Sequence, residues 1–407
     1  MIRGLIFFLS RISIGLNKCE IHQCHRDKKF RIDINLKKTN MVYGLLLVAT
    51  LLVAVLGGRV YDHGVYLDTH RPLIIAHRGS SGALPEHTLE AYRLAIEQGA
   101  DVIECDVCVT KDLRLICRHE SWLNMTTNVM DDASLRQKTT TYYIDSYYGN
   151  VTDVFSVDLT LAEIQSLRVK QPLDFRNEDY NSLYKIPTFE EYIAVAKSAG
   201  RSIGLYPEVK NTDWVNSLDI MKNAKKTIEQ LVVEVLQREG YRSKTDPCFL
   251  QSFEEKAIRE LSKITELPLV YLMWFGDRTD EEYLKDLAEI CYGIGPPKGM
   301  IIPETDRYLQ KPTRLVETAH KVGLKVHPYT FRNEDQYLAW NYTGDYIAEY
   351  QRFYDLGIDG YFTDFPASLH RFLDTTYSSQ CTNAAHTSSV IPTWFLLWFA
   401  LINMFFF

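Results

Sequence analysis

No surplus of positive charge marks this 407-residue chain: 45 Lys and Arg stand against 52 Asp and Glu, a formal net charge of -7. Nucleic-acid binding needs Lys and Arg clustered on one face, so nucleic acid is excluded as a partner. Membrane-crossing helices need ~20 apolar residues, and the two apolar runs present, Tyr43–Gly58 and Trp394–Phe407, fall short of that length. Zinc chemistry lacks its ligands, because Cys105 and Cys108 sit inside a strand-like run with no second pair or His cluster at ligand spacing. Internal repeats and an interdomain linker are also missing, which leaves one catalytic domain. At 46% hydrophobic and 24% charged, the chain has the make-up of a globular protein with a large core.

The two ends carry targeting patterns. Residues 41–58 read as a signal peptide, with Met41 as a candidate start. The forty residues upstream form a basic leader (Arg3, Arg11, Lys18, Arg26, Lys28, Lys29, Lys37 and Lys38). An uncleaved signal anchor with a cytoplasmic basic tail is the alternative. Residues 376–407 have the order of a glycosylphosphatidylinositol attachment signal: small residues around Asn383, a polar spacer from His386, then an apolar tail. As a helix that fourteen-residue tail spans only ~21 Å against a ~30 Å hydrocarbon core, which favours a lipid anchor at Asn383 over a tail anchor. These features predict a protein on the extracellular face of the plasma membrane, held there by the lipid. Export would make Asn124, Asn150 and Asn341 glycosylation acceptors. It would also place Cys105, Cys108, Cys117, Cys248, Cys291 and Cys381 where an oxidising environment can pair them.

Between residues 68 and 375 short β-branched runs alternate with amphipathic stretches, the pattern of βα units on a parallel sheet. Strands are predicted at Leu73–His77, Val102–Val107, Ile203–Val209, Cys248–Ser252, Leu269–Trp274, Met300–Ile302, Lys325–Thr330 and Asp359–Thr363. Eight strands in this length predict an α/β fold, a closed (β/α)8 TIM barrel. Helical spacing follows Thr88 and runs over Thr227–Leu236. The second and third strands are too far apart for one crossover helix, so residues 110–200 are expected to form an inserted subdomain or lid. It opens with a hairpin at Leu113–His119, and its Tyr142, Tyr143, Tyr147 and Tyr148 are expected to pack a lid.

A parallel barrel presents its ligand face where strands end, and polar residues concentrate there. The first strand runs into His77 and Arg78. In the second, period-2 alternation sends Glu104 and Asp106 to one face. Two carboxylates ~5 Å apart in a partly dry site repel by several kcal/mol unless a cation lies between them. Glu208 on the third strand adds a third acid, with Lys210 on the same side. The set suits one divalent cation, Ca²⁺ or Mg²⁺, while Arg78 and Lys210 suit an anionic substrate such as a phosphate. His77 and His119 are the groups that titrate near neutrality. His320, His327 and His370 read as structural histidines.

Taken together, Ala76-His77-Arg78-Gly79, Pro85-Glu86-His87-Thr88, Glu104-Cys105-Asp106-Val107 and His119-Glu120 resemble the amino-terminal signature of the glycerophosphodiester phosphodiesterase family. Pro207-Glu208-Val209-Lys210, Gln251-Ser252-Phe253, Tyr329-Thr330-Phe331-Arg332-Asn333 and Thr363-Asp364-Phe365-Pro366 resemble the later strands of its longer, periplasmic-type branch. The resemblance implies a barrel in which Glu104, Asp106 and Glu208 ligate a Ca²⁺ or Mg²⁺ ion, Arg78 and Lys210 hold phosphate oxygens, and His77 and His119 exchange protons. It implies hydrolysis of glycerophosphodiesters such as glycerophosphocholine to sn-glycerol 3-phosphate and an alcohol. Two positions depart from the family: His87 stands where Asn is usual, and Glu120 where Asp is usual. The rival readings are a lysophospholipase D or lipid-anchor-cleaving phosphodiesterase, and a non-catalytic surface barrel, which would lack part of the His77, Glu104, Asp106, His119 and Glu208 set.

Overall fold

The computed structural model describes residues 71–376. The leader, the signal peptide and the attachment signal with Asn383 lie outside the described residues. Eight parallel strands succeed one another around a barrel: β1 (Leu73–Ala76), β2 (Val102–Val109), β3 (Gly204–Val209), β4 (Leu250–Ser252), β5 (Leu269–Leu272), β6 (Gly293–Gly295), β7 (Lys325–Val326) and β8 (Gly360–Thr363). Neighbours in sequence are neighbours in the sheet from β1 to β7, and β8 returns to pair with β1, Leu73 opposite Gly360. The last seam is held by single hydrogen bonds: Asp359 N–H to Val326 O at 2.9 Å, Phe362 N–H to Pro328 O at 3.1 Å and Phe331 N–H to Phe362 O at 2.7 Å.

The helices form where apolar spacing and a cap coincide. Leu89–Glu97 starts at Thr88, whose hydroxyl accepts from Ala91 N–H, and Ile228–Arg238 starts at a capping box of Thr227 and Gln230. Both helices bury their apolar side against the strands.

One expected strand is displaced. Met300–Ile302 was expected to be the sixth, but Lys298–Ile301 is a short helix and the strand is Gly293–Gly295. Pro296 and Pro297 end the strand and set up the turn into that helix. Glycine is needed here because the neighbours approach closely: a Cβ at Gly293 would lie 2.7 Å from Lys325 O, and one at Gly295 2.6 Å from a Leu272 methyl.

The insertion between β2 and β3 builds a small core of its own from Leu123, Val129, Leu135, Leu159, Ile164 and Val169 among others. Its first strand, Leu115–Cys117, folds back antiparallel on β2, as the expected hairpin requires. A second hairpin pairs Thr140–Tyr143 with Asn150–Asp153. Tyr142 packs on Phe155 and Trp214 with ring centroids 4.9 and 5.5 Å apart. Tyr147 and Tyr148, at the turn, reach the mouth of the barrel.

Inside the barrel the lower interior is apolar and aromatic. Leu73, Ile75, Val102, Tyr206, Phe249, Val270 and Phe362 form one cluster. Phe249 stacks on Tyr206 with centroids 4.9 Å apart, and Tyr206 Oη lies 2.9 Å from Nδ1 of the buried His327. Burial pushes His327 down to about 4, so its ring is neutral near pH 7. The five cysteines among the described residues, Cys105, Cys108, Cys117, Cys248 and Cys291, are buried free thiols, so the pairing that export would permit is not made among them.

Candidate active site

The alternation that buries Val102 and Tyr206 in the barrel brings Glu104, Asp106 and Glu208 to its C-terminal end two and four residues later. Asp106 and Glu208 are direct neighbours in the β2–β3 register. One oxygen from each of the three carboxylates lies within 4.8 Å of the others, and all three are buried. Burial and the adjacent carboxylates push Glu104 and Glu208 well above the ordinary carboxylate range. Asp106 is held well below it, chiefly by Lys210, whose Nζ is 3.5 Å away, and by His119 and His87. Glu208 Oε1 is buried with no hydrogen-bond partner. An all-oxygen donor set with an orphaned buried carboxylate oxygen fits a hard divalent cation.

Cations surround these acids. Arg78, at φ 59° in the left-handed region, donates its backbone N–H to Glu104 Oε2 at 2.6 Å. Its guanidinium donates to Glu86 Oε2 at 2.8 Å and stands 3.6 Å from Asp106 Oδ2. Lys210 is held charged by Asp106 and Glu208. His77 Nδ1 lies 2.6 Å from Asp364 Oδ1, and His119 Nδ1 lies 2.8 Å from Glu120 Oε1. All seven residues singled out from the sequence, His77, Arg78, Glu104, Asp106, His119, Glu208 and Lys210, line one cavity of about 990 Å³. Its outer wall carries Tyr147, Trp274 and Phe275, exposed by 76, 46 and 69%.

A profile of the glycerophosphoryl diester phosphodiesterase family matches residues 77–368. The chain belongs to this family. Membership makes it a phosphodiesterase, as the resemblance implied. Among its relatives is an Arabidopsis thaliana glycerophosphodiester phosphodiesterase (GDPD6), 39% identical over 326 residues covering 75% of this chain and 87% of that protein. A Haemophilus influenzae glycerophosphodiester phosphodiesterase is 30% identical over 355 residues, covering 74% and 89%. In fold it is similar to an Oleispira antarctica phosphodiesterase solved with the product sn-glycerol-3-phosphate (TM-score 0.51, 23% identity, 75% of this chain and 97% of that one).

Within this cavity's surroundings, His87, where the resemblance leads one to expect Asn, has a structural setting. His87 sits at φ 52°, a backbone region that Asn, Asp and His enter more readily than other side chains. Its Nε2 lies 2.8 Å from Asp106 Oδ2 and its Nδ1 2.8 Å from Tyr92 Oη, and burial pushes it down to about 4. Glu120 accepts from Tyr148 Oη at 3.3 Å, which ties the departure at that position to the inserted hairpin.

Sequence reasoning missed several groups. Arg176, from the insertion, and Arg332 both donate to Asp364 Oδ2, at 2.6 and 2.8 Å. Asp364 and Arg332 stood in quoted motifs without a role. Arg176 had no motif around it, and its partner is 188 residues away. Asn124, Asn150 and Asn341 are all exposed, the last two on the insertion hairpin and within a short helix at Trp340–Tyr342.

Proposed function

We propose that this enzyme hydrolyses glycerophosphodiesters such as glycerophosphocholine to sn-glycerol 3-phosphate and an alcohol, with one divalent cation, Ca²⁺ or Mg²⁺, held by Glu104, Asp106 and Glu208. The observation that carries the reading is the buried carboxylate cluster, with Glu208 Oε1 left without a partner, flanked by two cations and two histidines in one cavity. Bound there, such an ion would polarise a phosphoryl oxygen. Arg78 and Lys210 supply fixed positive charge to the phosphodiester, and their own carboxylate partners keep them ionised. Each catalytic histidine has Nδ1 against a carboxylate, which leaves Nε2 for the substrate. One ring takes the proton of the attacking hydroxyl and the other protonates the departing alkoxide.

The retained set of five leaves the non-catalytic reading without support. A lysolipid substrate has one observation in its favour, the exposed aromatic wall of Tyr147, Trp274 and Phe275. The test is glycerol 3-phosphate release from glycerophosphocholine by the full-length chain, in EDTA and then with Ca²⁺ or Mg²⁺ restored, beside choline release from lysophosphatidylcholine. Release that returns with the metal supports the reading. Release indifferent to chelation removes the cation from it, and cleavage of the lysolipid alone replaces the substrate.

We also propose an exported, lipid-anchored protein. Support comes from the terminal patterns and from the exposure of all three acceptor asparagines. Release from intact cells by a phosphatidylinositol-specific phospholipase C, with loss of mass on deglycosylation, is the expected result.

A further inference from the structure

Asp364 follows β8 directly and is 1% exposed. Its two oxygens have different partners: Oδ1 faces His77 Nδ1 at 2.6 Å, while Oδ2 receives Arg176 Nη2 at 2.6 Å and Arg332 Nε at 2.8 Å. Arg176 is itself fixed. Its Nε donates to Glu334 Oε1 at 2.8 Å, its Nη1 to Ser81 O at 3.1 Å, and its guanidinium lies 5.6 Å from the Phe365 ring centre. Two arginines on one buried oxygen keep Asp364 ionised, and an ionised carboxylate only accepts hydrogen bonds. Nδ1 of His77 must therefore carry the hydrogen, and in the neutral ring the lone pair is on Nε2. The other tautomer would set a lone pair against a carboxylate oxygen.

We propose that Asp364, clamped by Arg332 and by Arg176 of the insertion, is the positioning residue that holds His77 with Nδ1 protonated and Nε2 ready to accept a proton. The insertion is then part of the catalytic machinery as well as a wall of the cavity. The proposal rests on reading His77 as a proton-transfer group. Burial, the largest influence on His77, lowers it, as do Arg78 after β1 and Arg332 after β7, while Asp364 after β8 favours the protonated ring.

The test compares the full-length chain with Asp364→Asn, Arg176→Gln, Arg332→Gln and His77→Ala on glycerophosphocholine, following kcat, KM and the pH profile. Asp364→Asn should lower kcat on the order of 10²–10⁴-fold, the scale seen when an orienting carboxylate loses its charge, with little change in KM. Its acidic limb should move to lower pH, because a group favouring protonated His77 is lost. Arg332→Gln should move the limb the opposite way, and Arg176→Gln should lower kcat by roughly tenfold at constant KM, partly restored by Arg176→Lys. A folded Asp364→Asn enzyme with native kcat and an unmoved limb overturns the proposal. Should Asp364→Asn not fold, native kinetics in both arginine variants overturn it. An active His77→Ala enzyme refutes the reading of His77 instead, whereas an inactive one beside a native Asp364→Asn refutes only the clamp.

Discussion

The two halves of the barrel interior are built from the same strands, two residues apart, yet they treat burial in opposite ways. Tyr206 and Glu208 share one face of β3, as Val102, Glu104 and Asp106 share one face of β2. Below, the residues are apolar or neutral, and the one histidine gives up its charge to burial. Above, charge is concentrated so heavily that the carboxylates are pushed in opposite directions, Glu104 and Glu208 up and Asp106 down. The lower half carries stability without chemistry, and the upper half gives up stability for chemistry.

The sharpest way to break this comparison is to neutralise the upper half. Glu208→Gln should lower kcat by about 10³-fold, and Ca²⁺ or Mg²⁺, expected to raise the melting temperature of the native protein, should no longer do so. Native activity or an undiminished thermal shift by metal would contradict the assignment. His77→Ala and His119→Ala should each abolish turnover in a protein that still folds, because both rings border the cavity.

In the lower half the effects should fall on stability. Phe249→Ala, which empties a fully buried site against Tyr206, should cost about 3–5 kcal/mol in urea unfolding while the folded fraction keeps its kcat. His327 tests the same region by pH. Its folded value of about 4 lies below the unfolded value of 6.5, so the unfolded chain binds the proton first as pH falls. Its neutral burial is thus fully compatible with folding above about pH 6.5, and stability should fall by on the order of 3 kcal/mol between there and about pH 4. His327→Gln should flatten that slope, and an equal slope in both proteins would show that other groups set it. Smallest is Tyr206→Phe, about 1–2 kcal/mol for leaving His327 Nδ1 without its partner, read in the same unfolding experiment.

Legibility in the sequence followed the same division. The Glu104-Cys105-Asp106 alternation was readable because strand geometry converts a two-residue spacing into a shared face. The sixth strand was not, because Gly293-Ile294-Gly295 is shaped by Lys325 and Leu272 pressing on it, and the more strand-like Met300–Ile302 lies beyond two prolines that start a helical turn. Arg176 was out of reach for a related reason. Its role exists only where the chain returns 188 residues later, and no local pattern records that meeting.

The buried thiols bear on how this molecule ages. Burial pushes Cys108 and Cys291 up to about 12 and Cys105 well above its usual value, so almost no thiolate exists in the folded protein for an oxidant or alkylating reagent to attack. Protection comes from exclusion and not from cross-linking. Any modification of these sulfurs must wait for the surrounding structure to open, and the labelling rate of each cysteine in turn would time the opening of its own neighbourhood.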